Sequence, residues 1–264
     1  MKLAIGVSYC GAGLEGWQSQ PSGNTVQDRL ERALSEIAGE RIALTAAGRT
    51  DAGVHASAQV AHFETNADRP ESAWVRGANA LLPDAIAVQW AAPVAGDFHA
   101  RYSALSRTYR YVLYNHAVRP ALLAGRVGWF HAPLDLEKMR EAATYLVSEH
   151  DFSSFRSAEC QAKSPVRVMK DLAVRASGSY IVFDFTANAF LHHMVRNIVG
   201  CLVYVGKGKH PPAWMAELIA ARDRGRAAPT FSPDGLYLFR VCYEGRWSLP
   251  AFAAMLPFDP GSAS

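Results

Sequence analysis

Two rhythms of hydrophobic and polar positions run along this chain. Residues 2–9 look like a strand, 41–46 and 57–64 read as strands around a Gly-containing loop, and 86–91 suggest a further strand. Val26, Leu30, Ala33, Leu34 and Ile37 instead recur at helical spacing. Asn24-Thr25 followed by Gln27-Asp28 resembles a helix start, and Gly39 ends that helix. Residues 71–81 predict a second helix, stopped by Pro83. Beyond residues 102–106 the order recurs. A strand over 106–115 precedes an amphipathic helix over 134–147 that opens with Leu134-Asp135. Strands over 168–175 and 180–187 are joined through Ser177-Gly178, helices follow over 190–205 and 213–222, and a last strand covers 236–243.

Both halves therefore predict the order β-α-β-β-α-β, with one extra helix in the second. That is the ferredoxin-like order of an α+β (α/β) chain, a mainly antiparallel sheet with helices on one face. The expected division is an N-terminal half over 1–104, a C-terminal half over 105–246 and a tail over 247–264 that frays after Phe258. No sequence repeat relates the halves, so their kinship rests on element order alone. Two such halves side by side predict a cleft suited to an extended substrate.

Composition narrows the picture only slightly. Half of the 264 residues are hydrophobic, enough for a sizeable core. The net charge of +3 identifies no partner by itself, but 21 of the 27 cationic side chains are Arg, which stacks on bases and forks onto phosphates. A GC-rich genome enriches Arg as well. Cys10, Cys160, Cys201 and Cys242 form no C-x-x-C pair and no cluster with zinc spacing. Met1-Lys2-Leu3-Ala4 leads directly into a strand pattern without a signal-peptide layout, and no apolar run is long enough to span a membrane. A reduced, cytoplasmic, soluble protein is expected.

The densest chemistry lies in residues 46–56, Ala-Ala-Gly-Arg-Thr-Asp-Ala-Gly-Val-His-Ala, between two predicted strands. Gly48 and Gly53 permit unusual backbone angles and close approach of a ligand. Arg49, Thr50 and Asp51 set a cation, a hydroxyl and a carboxylate in succession. Two readings stand at this point: a turn in which Asp51 caps its own backbone, or a rigid loop presenting a carboxylate as nucleophile or base. Elsewhere, Tyr109 and Tyr111 share one face of an alternating strand while Arg110 points to the other. Arg196 lies in an otherwise apolar helix around Val195, Ile198, Val199, Leu202 and Val203, and a buried arginine needs a partner. Adjacent His192 and His193 point about 100° apart on a helix, which makes them poor joint metal ligands, and no H-E-x-x-H pattern occurs. Arg222, Arg224 and Arg226 suit RNA phosphates and a solvated helix end equally well.

The string Gly48-Arg-Thr-Asp-Ala-Gly-Val-His-Ala56 resembles the signature of the TruA-type tRNA pseudouridine synthases. Further blocks keep the resemblance in register over about residues 4–243: Gly16-Trp17-Gln18 with Thr25-Val26-Gln27, Gln59 to Phe63, Phe98-His99-Ala100-Arg101-Tyr102, Arg107 to Tyr111, His150 to Phe155, Asn188 to Arg196, and Gly235 to Leu238. Tyr9-Cys10-Gly11 departs from the family's usual Tyr-Asp-Gly, and Leu14 stands where an aromatic residue is common. These departures put in doubt a role for a first-strand carboxylate, not the reaction.

The resemblance implies isomerisation of uridine to pseudouridine at positions 38, 39 and 40 of the tRNA anticodon stem-loop. It implies a homodimer spanned by the tRNA, and no metal, nucleotide or other cofactor. It makes Asp51 the catalytic carboxylate and Arg196 the cation that favours its ionised form. Tyr109 is expected against the flipped base, Arg49 on the displaced nucleotide or a phosphate, and Arg101 on phosphate. Thr50, Phe98, His99, Ala100, Tyr102, Gln161 and Lys163 are further expected RNA contacts. Three routes stay open for Asp51: attack on the sugar, attack on the base, and removal of a sugar proton. Two rival classes fare worse. An RRM-like binder would need an RNP1 pattern and a serine hydrolase a G-x-S-x-G elbow, and the chain has neither.

Overall fold

In the computed structural model, residues 1–250 are described; most of the expected tail, residues 251–264, lies outside them. The described chain divides into two compact units, Met1–Leu105 with the segment from Tyr237 on, and Ser106–Leu236.

Unit 1 contains β1 (Lys2–Tyr9), α1 (Val26–Ala38), β2 (Thr45–Ala46), β3 (His55–Glu64), a single π-helical turn over Ala73–Gly77 running into α2 (Ala78–Leu81), and β4 (Ile86–Pro93). Strands β5 (Ala104–Asn115), β6 (Gly128–Phe130), β7 (Ser148–Asp151), β8 (Val166–Ser177) and β9 (Tyr180–Ala187) belong to unit 2, with α3 (Leu136–Thr144), α4 (Met194–Gly206) and α5 (Trp214–Ala221). The last strand, β10 (Leu236–Tyr243), returns to unit 1.

The sheet of unit 1 runs β4-β1-β3-β10, with β2 added to β3. β1 pairs antiparallel to both β3 and β4, so Leu3, Ile5 and Val7 stand opposite Phe63, Ala61 and Gln59 on one face. On that face the Phe63 ring meets Trp74 edge-on at 5.3 Å. Ala4 and Val60 point the other way, into a cluster with Phe98, Ala100 and Trp247. Both faces of β3 are therefore covered, which is why it is buried from His55 to Phe63, its polar His55, Ser57, Gln59 and His62 included. Gly6 allows Trp90 to lie flat on β1, since a Cβ there would fall 2.1 Å from the indole nitrogen. β10 pairs parallel to β3 through Tyr237↔His55 and Leu238↔Ala56. The last strand of the stretch expected to form the second half is thus built into unit 1. Helix α1 is held as its sequence predicts: Thr25 accepts the Asp28 N–H at its N-terminus, and Gly39 closes it in the left-handed region at φ 70°.

Unit 2 orders its strands β5-β9-β8-β7, antiparallel throughout, with β6 parallel to β5. β8 and β9 form the expected hairpin, turned through Gly178 at φ 55°. Arg110 stands opposite Asp184 across β5 and β9, and two hydrogen bonds of 2.7 and 3.0 Å join them. Helix α4 is buried almost all round. Its fully buried Asn197 donates to the Phe155 carbonyl at 2.8 Å and accepts from Arg224 and Thr230 at 3.1 and 2.7 Å.

Several expected boundaries move. The strand read over 41–46 contracts to Thr45–Ala46, because the Leu44 N–H is taken by the Glu31 side chain and the Ile42 N–H by Ser35. The helix over 71–81 is part π and part α. The helix over 190–205 starts only at Met194, because His193 adopts φ 61° and breaks helical continuity. β6 and β7 carry no pattern strong enough to announce strands of three and four residues.

Two outcomes follow for stability. Replacing the fully buried Asn197 by Ala strips three hydrogen bonds at once and should cost about 2–4 kcal/mol in urea denaturation; a loss below roughly 0.5 kcal/mol would contradict the hub role. His62 has its pKa lowered to about 4, chiefly by burial and then by His99 and Lys2 nearby, while its Nδ1 accepts the Ala100 N–H at 3.1 Å. An unfolded histidine binds its proton near pH 6.5. Between there and about pH 4 the unfolded state therefore holds the extra proton, and stability falls as pH falls through that window. His62→Gln should flatten this decline in urea midpoints measured from pH 7 to pH 5.

Candidate active site

The loop between β2 and β3 is built by three sets of bonds within unit 1. Its entry is tied to the sheet by Ala47 N–H on Val60 O at 2.8 Å. The fully buried Gln59 donates through Nε2 to the Gly48 carbonyl at 2.7 Å, while its Oε1 accepts the Val60 N–H at 3.2 Å. At the apex, Thr50 is held twice: its hydroxyl lies 2.8 Å from the Tyr9 hydroxyl, and its carbonyl accepts the Trp17 N–H at 3.0 Å. The exit is a tight turn in which Val54 N–H reaches the Asp51 carbonyl at 3.1 Å and Gly53 takes φ 78°. Gly53 N–H also reaches Leu14 O at 3.3 Å.

The segment Gly11–Trp17 acts as a clamp on this loop, and two of its glycines are dictated by contact. A Cβ on Gly11 would fall 2.1 Å from the Val54 carbonyl oxygen. One on Gly16, which has φ 87°, would fall 2.7 Å from Thr50 O and 3.0 Å from the Asp51 carbonyl carbon. Gly11 N–H donates to Nδ1 of His55, a buried ring stacked on Tyr237 at 4.6 Å. This pairing leaves the other ring nitrogen, Nε2, to carry the proton in neutral His55. Burial pushes the Tyr9 phenol well above its ordinary pKa, against the opposing pull of its hydrogen bonds to Thr50 and Gln59. The phenol stays protonated and available to Thr50. Asp51, half-buried, is presented from a backbone fixed on both sides. Arg49 beside it is exposed, and Thr50 is buried in its role as anchor.

The Phe98–Tyr102 block separates into two kinds of side chain. Phe98 and Ala100 are fully buried, and Phe98 packs edge-on against His62 and Trp247, so both serve the core and offer no surface to a ligand. His99, Arg101 and Tyr102 lie outward. The N–H groups of Arg101 and Tyr102 both donate to His99 Nδ1 at 3.2 Å, and the Tyr102 ring, 76% exposed, lies 4.2 Å from His99. Cys10, in place of the family's usual carboxylate, donates its N–H to Ala85 O and serves the backbone.

In unit 2, Tyr109 stands opposite Phe185 on β5 and meets Phe190 edge-on at 4.9 Å. Arg196, in the first turn of α4, is half-buried rather than buried. Its Nε donates to Phe231 O at 2.9 Å, and the Phe231 N–H returns a bond to the Arg196 carbonyl at 3.2 Å. This reciprocal pair fixes where the guanidinium starts from. The Tyr111 hydroxyl donates to Ser232 O at 2.9 Å, and burial raises its pKa, with Asp234 adding to the rise and Arg196 opposing it. Gln161 and Lys163 are exposed on a loop that Arg156 ties down through the carbonyls of Cys160 and Ala162. The sequence did not point to Tyr9, Gln59, Gly11 or Gly16 as positioning groups. The glycine spacing Gly11-x-Gly13-x-x-Gly16 was the available signal.

A carboxylate on a doubly anchored loop suits nucleophilic or general-base chemistry. The sequence profile of a family described as tRNA pseudouridine synthase matches residues 6–103 and 142–244, which include both Asp51 and Arg196. The chain belongs to this family. A tRNA pseudouridine synthase A of Dechloromonas aromatica (strain RCB) is 60% identical to it over 250 residues, covering 95% of each chain. The protein of the same name from Burkholderia thailandensis (strain ATCC 700388 / DSM 13276 / CCUG 48851 / CIP 106301 / E264) is 58% identical, covering 95% of this chain and 93% of that one. Among solved structures, a Cbf5-Nop10-Gar1 complex aligns with a TM-score of 0.37 at 11% identity, over 89% of this chain and 48% of that one, too little to bear on fold or function.

The clamp makes a sharp demand on Gly16. Gly16→Ala should leave the circular dichroism spectrum native while lowering kcat on the order of 100-fold, since displacements of about 1 Å at a reacting group cost that much. Tyr9→Phe, which removes one anchor and leaves the backbone intact, should cost less. Undiminished turnover by Gly16→Ala would show that the clamp does not position Asp51.

Proposed function

We propose that this chain converts uridine to pseudouridine at positions 38, 39 and 40 of the tRNA anticodon stem-loop. The N1–C1′ bond breaks, the base turns, a C5–C1′ bond forms, the C5 proton leaves to solvent, and N1 ends as N–H. Electrons balance within the nucleotide, so the reaction calls for no oxidant, energy source or metal. Supporting the reading most directly is the presentation of Asp51 on a clamped loop, in a chain about 60% identical over nearly its whole length to proteins named tRNA pseudouridine synthase A.

In this reading Asp51 is the catalytic carboxylate, Arg196 the cation that favours its ionised form, and Tyr109 the ring against the target base. Exposed Arg49 holds the displaced nucleotide. Arg101 and the exposed ring of Tyr102 suit contacts to phosphate and to an unstacked base. His99 supports that pair, and Gln161 and Lys163 add polar contacts from their loop. The enzyme works in the cytoplasm as a homodimer, with the tRNA spanning both subunits.

Unmodified tRNA carrying tritium at C5 of uridine tests this directly. Protein without added metal or nucleotide should release tritium to water. Asp51→Ala should bind the tRNA within a few-fold of the parent and release at least about 1000-fold more slowly, as expected when an acting nucleophile or base is removed. Mapped products should fall at positions 38 to 40. Absence of release by folded protein across several tRNAs would overturn the assignment.

A further inference from the structure

The C-terminal end of α4 carries a cluster that the reading above leaves unused. The chain leaves the helix through Lys207, Gly208 and Lys209, whose N–H groups return to Val203, Val205 and Tyr204 carbonyls at 2.9–3.0 Å. Gly208 takes φ 78°, with open space where a side chain would stand. This turn folds both lysines back onto one ring: their ammonium groups lie 4.1 and 4.2 Å from the centroid of Tyr204. Tyr204 is in turn nearly parallel to His210 and to the buried Trp214, which stack on each other at 3.9 Å. Pro211 and Pro212 lead from this platform into α5, where the Trp214 N–H reaches the Pro211 carbonyl at 3.0 Å.

A helix C-terminus attracts cations, which accounts for one lysine near the last carbonyls. It does not account for two ammonium groups gathered over one ring, both exposed and neither ion-paired among the described residues. The ring face attracts each ammonium, and two cations gathered on one ring make a local positive charge that favours an anion. The lysines occupy the ring that would otherwise stack on a base, so the cluster offers charge rather than a stacking surface. That combination fits phosphate, the part of a nucleic acid that positions without reading sequence.

We infer that Lys207 and Lys209, held by Tyr204 and Gly208, form a binding site for the RNA phosphate backbone, on tRNA segments away from the modified nucleotide. The inference rests on the proposed tRNA substrate. Lys207, which caps α4, lies eleven positions beyond Arg196, about three turns and roughly 16 Å along the same side of the helix. With Arg196 at the reacting nucleotide, the lysines reach a neighbouring stretch of backbone.

Equilibrium binding of unmodified tRNA across a salt series tests this without recourse to turnover. The Lys207→Gln/Lys209→Gln double variant should bind several-fold more weakly, to the same degree for different tRNA sequences. Its plot of log affinity against log salt should be shallower by about 1–2, the release expected for two phosphate contacts. Turnover at saturating tRNA should stay at the parental rate. The Lys207→Arg/Lys209→Arg variant should keep the parental affinity and slope, which a loss caused by misfolding would not. Parental affinity and slope in the Gln variant overturn the site, as does an Arg variant that fails like the Gln variant. Should the parent protein itself show no salt-dependent affinity for tRNA, the substrate assignment fails first.

Discussion

Thr50 is gripped from two directions, and the candidate chemistry depends on that grip. Its hydroxyl meets the Tyr9 phenol at the end of β1, and its carbonyl meets the Trp17 N–H arriving from the Gly11–Trp17 segment. Loops of this length ordinarily move, and a carboxylate on a mobile loop reacts poorly. Here the backbone at Thr50 and Asp51 is pressed against Gly16 so closely that no side chain fits at that position. Gln59 closes the other side from within β3, filling its own amide with the Gly48 carbonyl and a neighbouring N–H. The residue next in line, Asp51, inherits this rigidity without being buried.

The same economy recurs in unit 2. Arg196 does not float at the surface of α4, because the segment at Phe231 bonds both its backbone and its side chain. Asn197, the next residue, bonds through both ends of its amide to Phe155, Arg224 and Thr230 and so anchors the helix that carries Arg196. A non-glycine residue in the left-handed region, His193, sets where that helix begins. Conformational cost at this point, of order 1 kcal/mol or more for such a residue, is tolerated where surrounding contacts over-determine the geometry.

Much of this was legible in the sequence, for identifiable reasons. Helix α1 announces itself because its apolar spacing, Thr25 cap and Gly39 stop are all local and agree with one another. The hairpin of β8 and β9 shows through its Ser177-Gly178 turn for the same reason. Asp51 stood out because a carboxylate between two glycines is chemically unusual and because the family signature surrounds it. What was not legible is long-range. Nothing local says that β10 will add to β3 across nearly two hundred residues of chain, or that the Leu44 N–H will prefer Glu31 over a strand partner. Phe98 and Ala100 matched a family block yet are core residues, because a shared motif reports packing as readily as contact with substrate. Tyr9 and Gln59 looked like ordinary strand residues, and their roles emerge only where the strands meet the loop.

In the proposed reaction, catalysis depends on where the clamped loop places the Asp51 carboxylate, and not merely on a negative charge at that point. Asp51→Glu keeps the charge and moves it by one methylene group. Its single-turnover rate on saturating unmodified tRNA is the most direct measurement. A fall of about 100-fold or more is expected, the scale of a 1 Å displacement, with tRNA affinity within a few-fold of the parent. A glutamate variant that turns over at close to the parental rate would contradict this dependence on position.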